Sequence, residues 1–184
     1  MDVGRTILRS VVGPLMIGHG TQKLFGWFGG NGLEGTGGFF ENLGLRPGRR
    51  HASAAGAAET LGGALLTIGA LTPLASTLVS SVMITAIRKV HLERGPWVTG
   101  GGYEYNLVMI AAVTALADSG PGRPSVDAAV APRLRGPAWA IASLAAAAAG
   151  SWLATERFAE PEPELARQPR FEREPAEAPV GTTS

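Results

Sequence analysis

The chain has 184 residues, with 16 basic and 15 acidic side chains, a formal net charge of +1 and no cysteine. Near-neutral charge gives no basic face of the kind nucleic-acid binding needs. The missing cysteine excludes disulfides, Fe–S clusters, thiol redox chemistry and the usual structural zinc.

The charges are unevenly placed. Residues 155–184 hold seven Glu and four Arg, leaving 20 charges for the preceding 154 residues. The body therefore reads as an all-α, polytopic transmembrane helical bundle followed by a polar, Pro/Glu/Arg-rich tail that is too polar to fold alone.

The first apolar segment, Ser10–Gln22, carries His19 and is flanked by Arg9 and Lys23; Pro14 inside it predicts a kink. The start MDVGRTILRSVVGPLMIG has the charged and apolar regions of a signal peptide but no A-x-A-like cleavage site, so it reads as a retained span. Gly26–Arg50 reads as a loop, with seven glycines in Gly26–Gly38, and Phe39 and Phe40 fit a short interfacial helix or a lid. Its Gly30–Gly35 stretch matches G-x-G-x-x-G but follows a membrane span instead of a strand, so no nucleotide is expected.

Ala52–Thr72 has 21 residues and a single charge, Glu59, against roughly 20 apolar residues needed to cross a bilayer. Thr72-Pro73 predicts a threonine cap with proline at the first helical position, and a tight hairpin into Leu74–Ile87. Tyr105–Ala117, between Glu104 and Asp118, is a fourth segment. Gly136–Thr155 is uncharged but Ala-rich and less lipophilic, the weakest of five spans. The domain reading is a four-helix membrane core over 1–118, a loop over 119–136, a fifth membrane helix over 137–155 and the tail over 156–184. Arginines lie on both sides of this threading, so the positive-inside rule leaves the orientation open.

Antiparallel threading puts the ends of the first four segments nearest Gly26, Ala52, Gly95 and Tyr103 on one side of the bilayer. At 1.5 Å per residue, His19, Glu59 and Arg88 each lie about 10 Å in from that side. Lys23, His91 and Glu104 are shallower, and the other leaflet receives almost no charge. His19, Gln22 and Lys23 share a helix face. Glu59 shares its face with the small residues Ala55 and Gly63, so it points into the bundle and needs a cation. Lys23 is its first candidate partner, with Arg88 or Lys89 second. Arg88 and His91 share a face from which Lys89 is turned away. Ion pairing and snorkelling are the plain alternatives to a functional site. Only His19, His51 and His91 are available to a metal or haem, and neither is expected from their spacing.

The motifs GHGTQKLFGWFGG, GTGGFFENLG, ETLGGALLTIGALTPLAS and YEYNL resemble the DoxX family, including its DoxX-like and DoxD-like relatives, over roughly Arg5–Asp118. The resemblance implies a small, mostly four-helix protein of the bacterial cytoplasmic membrane, connected with quinone-linked sulfur-compound oxidation and with oxidative-stress redox complexes. His19, Lys23 and Glu59 match the family's polar positions, and Tyr103-Glu104-Tyr105-Asn106 matches the start of its fourth helix. The resemblance carries no catalytic assignment.

From these readings the candidate proton-handling residues are Glu59, His19 and Glu104, and the candidate ligand-binding residues are Lys23, Gln22, Arg88, His91, Tyr103 and Asn106. The leading function is a membrane redox subunit whose pocket holds a quinone headgroup or a small sulfur oxyanion, with electrons supplied by a partner. The alternatives are a non-catalytic membrane scaffold docking soluble redox or oxidative-stress enzymes and, less well supported because no polar path crosses the bundle, a small-solute permease. Membrane lipid is an expected partner, and a homo-oligomer is open.

Overall fold

The computed structural model describes residues 2–157, and every described element is helical. The elements are α1 (Val3–Phe25), α2 (Gly32–Asn42), α3 (Gly48–Ile68), α4 (Thr72–Ala86), α5 (Glu104–Ser119), the short α6 (Val126–Val130) and α7 (Pro137–Trp152). Single π-helical turns extend α4 over Ile87–His91 and α7 over Leu153–Arg157. The tail expected over 156–184 lies, after Arg157, outside the described residues.

α1 lies along α3; α4 packs against α3, α5 and α7; α2 covers α1 and α3. The core between them is apolar, built from Val12 and Met16 of α1, Leu66 of α3, Ala75, Val79 and Met83 of α4, and Met109, Val113 and Leu116 of α5.

The α1–α3 contact is made by glycine. A Cβ on Gly13 would meet the Gly63 carbonyl oxygen at 2.7 Å, and one on Gly63 would meet the Gly13 oxygen at 2.5 Å. Two turns along, a Cβ on Gly20 would sit 2.5 Å from the Gly56 oxygen. Thr60 and Thr67 fold their hydroxyls back onto the carbonyls of Gly56 and Gly63, both at 2.8 Å. This satisfies the hydroxyls within α3 and leaves the notches free for the α1 backbone. Small residues at helix spacing permit such close approach.

Several expectations are corrected. α1 runs from Val3 to Phe25, longer than Ser10–Gln22 at both ends, and holds Pro14 inside it. The loop expected over Gly26–Arg50 contains the 11-residue helix α2, and the 119–136 stretch contains α6. α3 begins at Gly48, four residues before Ala52, and stops at Ile68 with Gly69 in the left-handed region (φ 66°).

Thr72 does not cap α4 as expected. The cap position is Leu71, and the carboxylate of Asp127, 55 residues away, takes the terminal donors. Asp127 Oδ1 accepts from Leu71 N at 2.8 Å, and Oδ2 accepts from Thr72 N at 2.8 Å and Thr72 Oγ1 at 2.6 Å. A charged acceptor at a helix N-terminus meets both the free N–H groups and the positive end of the dipole, so it outcompetes a neutral hydroxyl.

The end of the bundle expected to lack charge in fact buries two charged groups, Asp127 (3% exposed) and Arg9 (5% exposed). Arg9 donates to the Pro121 carbonyl at 3.0 Å and to the carbonyls of Thr67 and Pro124.

By length and composition, one helix among the described residues is able to cross a membrane: Pro137–Arg157, with 28% of its apolar window buried inside the protein. It is the segment the sequence ranks weakest of the five. The start of α3 four residues early brings Arg49, Arg50 and His51 into that helix, which lowers its apolarity.

Two stability measurements test this packing. Gly20→Ala is expected to force α1 and α3 apart and cost about 1–3 kcal/mol. Gly18→Ala, on the same helix with nothing within 4 Å of its Cβ, should hold or raise the melting temperature. Asp127→Ala should cost roughly 2–3 kcal/mol by leaving the first donors of α4 without an acceptor, with Asp127→Asn intermediate. Thermal unfolding of the purified variants reads all four.

Candidate functional site

The site forms where the last turn of α1 crosses the middle of α3. His19 and Lys23 stand one helical turn apart on α1, and Glu59 stands on the α3 face that Gly56 and Gly63 press against α1. Lys23 Nζ reaches Glu59 Oε2 at 2.6 Å. The carboxylate is 2% exposed and the lysine side chain 23%. An ionised carboxylate this deep is costly unless paired and hydrogen-bonded, and Lys23 provides both.

Beside this pair lies a partly open cavity of about 660 Å³, lined by α1, α2, α3, α4 and its π turn, α5, and the end of α7. Its walls are mainly apolar, including Phe39 and Phe40 of α2, Leu43, Leu45, Val82 and Met83. The polar groups in it are few and specific. The rings of His19 and Tyr105 lie 6.4 Å apart, tilted at 56°. His91 Nδ1 lies 2.7 Å from the Gly101 carbonyl oxygen; a carbonyl can only accept, so Nδ1 is the donor. Asn106 is buried and donates weakly to the Met83 sulfur at 3.4 Å.

The α4 π turn decides which basic side chain faces this space. A π turn advances each residue by a smaller angle than an α turn, so the expected face of Arg88 and His91 is not kept. Lys89 and His91 line the cavity, and Arg88 does not. Arg88 turns to α7, donating to Ser151 Oγ at 3.3 Å, Thr155 Oγ1 at 3.0 Å and Glu156 Oε1 at 2.9 Å. Lys89 lies 3.8 Å from the same carboxylate.

The chain's sequence matches one family. A DoxX family model matches residues 4–92. A Bacillus subtilis (strain 168) protein named "Putative oxidoreductase CatD" is 30% identical over 118 residues, covering 64% of this chain and 81% of that protein. The chain belongs to the DoxX family. No solved structure matches it. The DoxX match spans α1 through the π turn of α4, and so includes the glycine contact and the Lys23–Glu59 pair.

Within this DoxX fold, the cavity brings together His19, Lys23, Glu59, His91 and Asn106 of the residues expected from sequence. It leaves four outside. Gln22 Nε2 donates to the Phe28 carbonyl at 3.3 Å, fastening the turn after α1. Glu104 Oε1 accepts from Val98 N at 2.8 Å and so ties down the Gly-rich loop before α5. Tyr103 donates its N–H to the Gly95 carbonyl at 3.2 Å in the same loop, and Arg88 is committed to α7.

Sequence reasoning named His51, Lys89 and Tyr105 but did not count them among the site candidates, and all three line the cavity. His51 was recoverable, since His51, Ala55 and Glu59 recur at four-residue spacing on one face once α3 is extended back to Gly48. Lys89 was not recoverable from an α-helical wheel. All three histidines of the chain thus line one cavity, although among the described residues no three of His, Asp or Glu converge closely enough to hold a metal ion.

Removing one partner of the floor pair separates structural from binding roles. Lys23→Ala strands a buried carboxylate and is expected to cost about 3–5 kcal/mol, whereas Lys23→Met combined with Glu59→Leu should return most of that stability. Melting temperatures of the single and double variants in detergent test this.

Proposed function

We propose that this DoxX protein is a multi-pass subunit of a membrane redox system and that its cavity takes the headgroup of a quinone. The observation that carries the reading is the cavity itself: about 660 Å³, mainly apolar, partly open and floored by a neutralised Lys23–Glu59 pair. That shape and polarity fit an uncharged ring with an apolar tail. A sulfur oxyanion is the poorer fit, because the cavity walls are mainly apolar and Lys23, the cation at the floor, already faces Glu59.

The membrane placement is supported by the outer surface. Val3, Ile7, Val11 and Leu15 form a four-residue-spaced ridge on α1, each more than half exposed. Leu61 and Ile68 on α3, Leu107 and Val108 on α5, and Ile141 and Trp152 on α7 are exposed as well. Apolar surface on this scale marks contact with lipid or with protein.

The chemistry follows from the donors. One of the three Lys23 N–H donors is spent on Glu59, which leaves donors for a quinone carbonyl oxygen. Reduction of that quinone to the quinol takes two electrons and two protons. With no cysteine in the chain, the electrons come from a reduced flavin or metal centre on a partner. Lys23, His19 and Tyr105 supply proton donors along the cavity, and the Glu59 carboxylate takes up protons and passes them on. The word oxidoreductase in the relative's name agrees with this class of reaction. If the protein instead acts as a docking scaffold, the cavity carries no quinone.

Organic extraction of the gently purified full chain, with quinone quantified against protein, tests the reading. Near-stoichiometric quinone is expected in the wild type and background quinone in the Lys23→Met/Glu59→Leu variant, whose packing is retained. Background quinone in both would sink the proposal and favour the scaffold.

A further inference from the structure

At the opposite end of the bundle from the quinone cavity is a second cavity of about 330 Å³, lined by residues of the α1 start, the 120–123 turn, α6 and the segment before α7. Its charged lining is Arg5, Arg123 and Arg135 against Asp2 and Asp127. Both carboxylates are already engaged. Asp2 pairs with Arg5, whose other arm donates to the Ser119 carbonyl, and Asp127 spends both oxygens on the start of α4. Neither Arg123 nor Arg135 forms an ion pair with a carboxylate among the described residues. Behind the wall, buried Arg9 holds only carbonyl oxygens, Pro121 of the cavity lining among them. Carbonyls satisfy its donors without cancelling its charge. The cavity is therefore a positive recess with two guanidinium groups available for an anion, and planar guanidinium groups match phosphate oxygens in pairs.

We propose that this recess binds the phosphate of an anionic phospholipid headgroup. Its volume is at the lower end for ligand cavities, enough for a phosphate and a small alcohol but not for acyl chains. The chains have apolar surface beside it: Val126 and Val130, one turn apart on α6, are 42% and 75% exposed. Trp139 is 42% exposed and donates its indole N–H to the Arg133 carbonyl at 3.1 Å, an arrangement suited to the headgroup layer. A free phosphate would use the same arginines but would not use these apolar neighbours. The proposal rests on the membrane placement argued above and is independent of the quinone.

Native mass spectrometry of the full chain in detergent, with equimolar phosphatidylglycerol and phosphatidylcholine, is the test. Wild type is expected to retain phosphatidylglycerol preferentially. Arg123→Ala/Arg135→Ala should weaken that binding roughly thirtyfold with an unchanged melting temperature, since both side chains are exposed. Arg133→Ala, outside the recess, should leave it intact. Equal retention of the two lipids by wild type, undiminished binding in the double variant, or an equal loss in Arg133→Ala would overturn the site. Inorganic phosphate at tens of millimolar is expected not to displace the lipid; thermal protection by phosphate alone, lost in the double variant, would overturn the lipid as its source. Recovery of the wild type in the aqueous instead of the membrane fraction would overturn the membrane placement itself, separately from these arms.

Discussion

Backbone-to-backbone contact between α1 and α3 sets the rest of the molecule. Gly13 meets Gly63 and Gly20 meets Gly56, at a seven-residue spacing on each helix, so the two helices touch twice along one seam. A single methyl at any of these four positions would collide with a carbonyl, a threonine or a leucine of the facing helix. Because the helices cannot move apart without losing the seam, the turn after Gly20 is carried over α3 and Lys23 is brought to Glu59. The ion pair is a consequence of the seam as much as a cause of it, since a carboxylate so buried is tolerable only where the neighbouring helix delivers a cation at fixed distance.

The two ends of the bundle solve the problem of buried charge differently. At the cavity end, Glu59 is matched by the opposite charge of Lys23 and the surrounding walls are mainly apolar. At the far end, Arg9 is met by three carbonyl oxygens and Asp127 by two backbone N–H groups and a hydroxyl. These contacts pin the segment between α5 and α7 onto the α3–α4 turn. They close the bundle there and leave the positive recess beside them. An uncharged ligand is accordingly proposed at the first end and an anion at the second.

Arg88 links these features to α7. Its contacts with Ser151, Thr155 and Glu156 join the π turn of α4 to the π turn that ends α7. Ala154 and Thr155 thereby become part of the cavity wall. A helix outside the matched DoxX region thus contributes to the site within it, which explains why the cavity needs more of this chain than residues 4–92.

Much of this was legible in the sequence, for definite reasons. Helical periodicity places His19 with Lys23, and the small residues around Glu59 mark a face that another helix must approach, so the Lys23–Glu59 pair follows from spacing and the cost of buried charge. Glycines at 13, 20, 56 and 63 and the polar termination of each segment are equally local. Tertiary structure alone decided the remainder. Asp127 caps α4 across 55 residues because a distant carboxylate binds helix-terminal donors better than the adjacent threonine, and no local pattern encodes that competition. The π turn over Ile87–His91 exchanges Lys89 for Arg88 at the cavity because backbone hydrogen bonding in the folded bundle, not residue spacing, sets the rotation of each side chain.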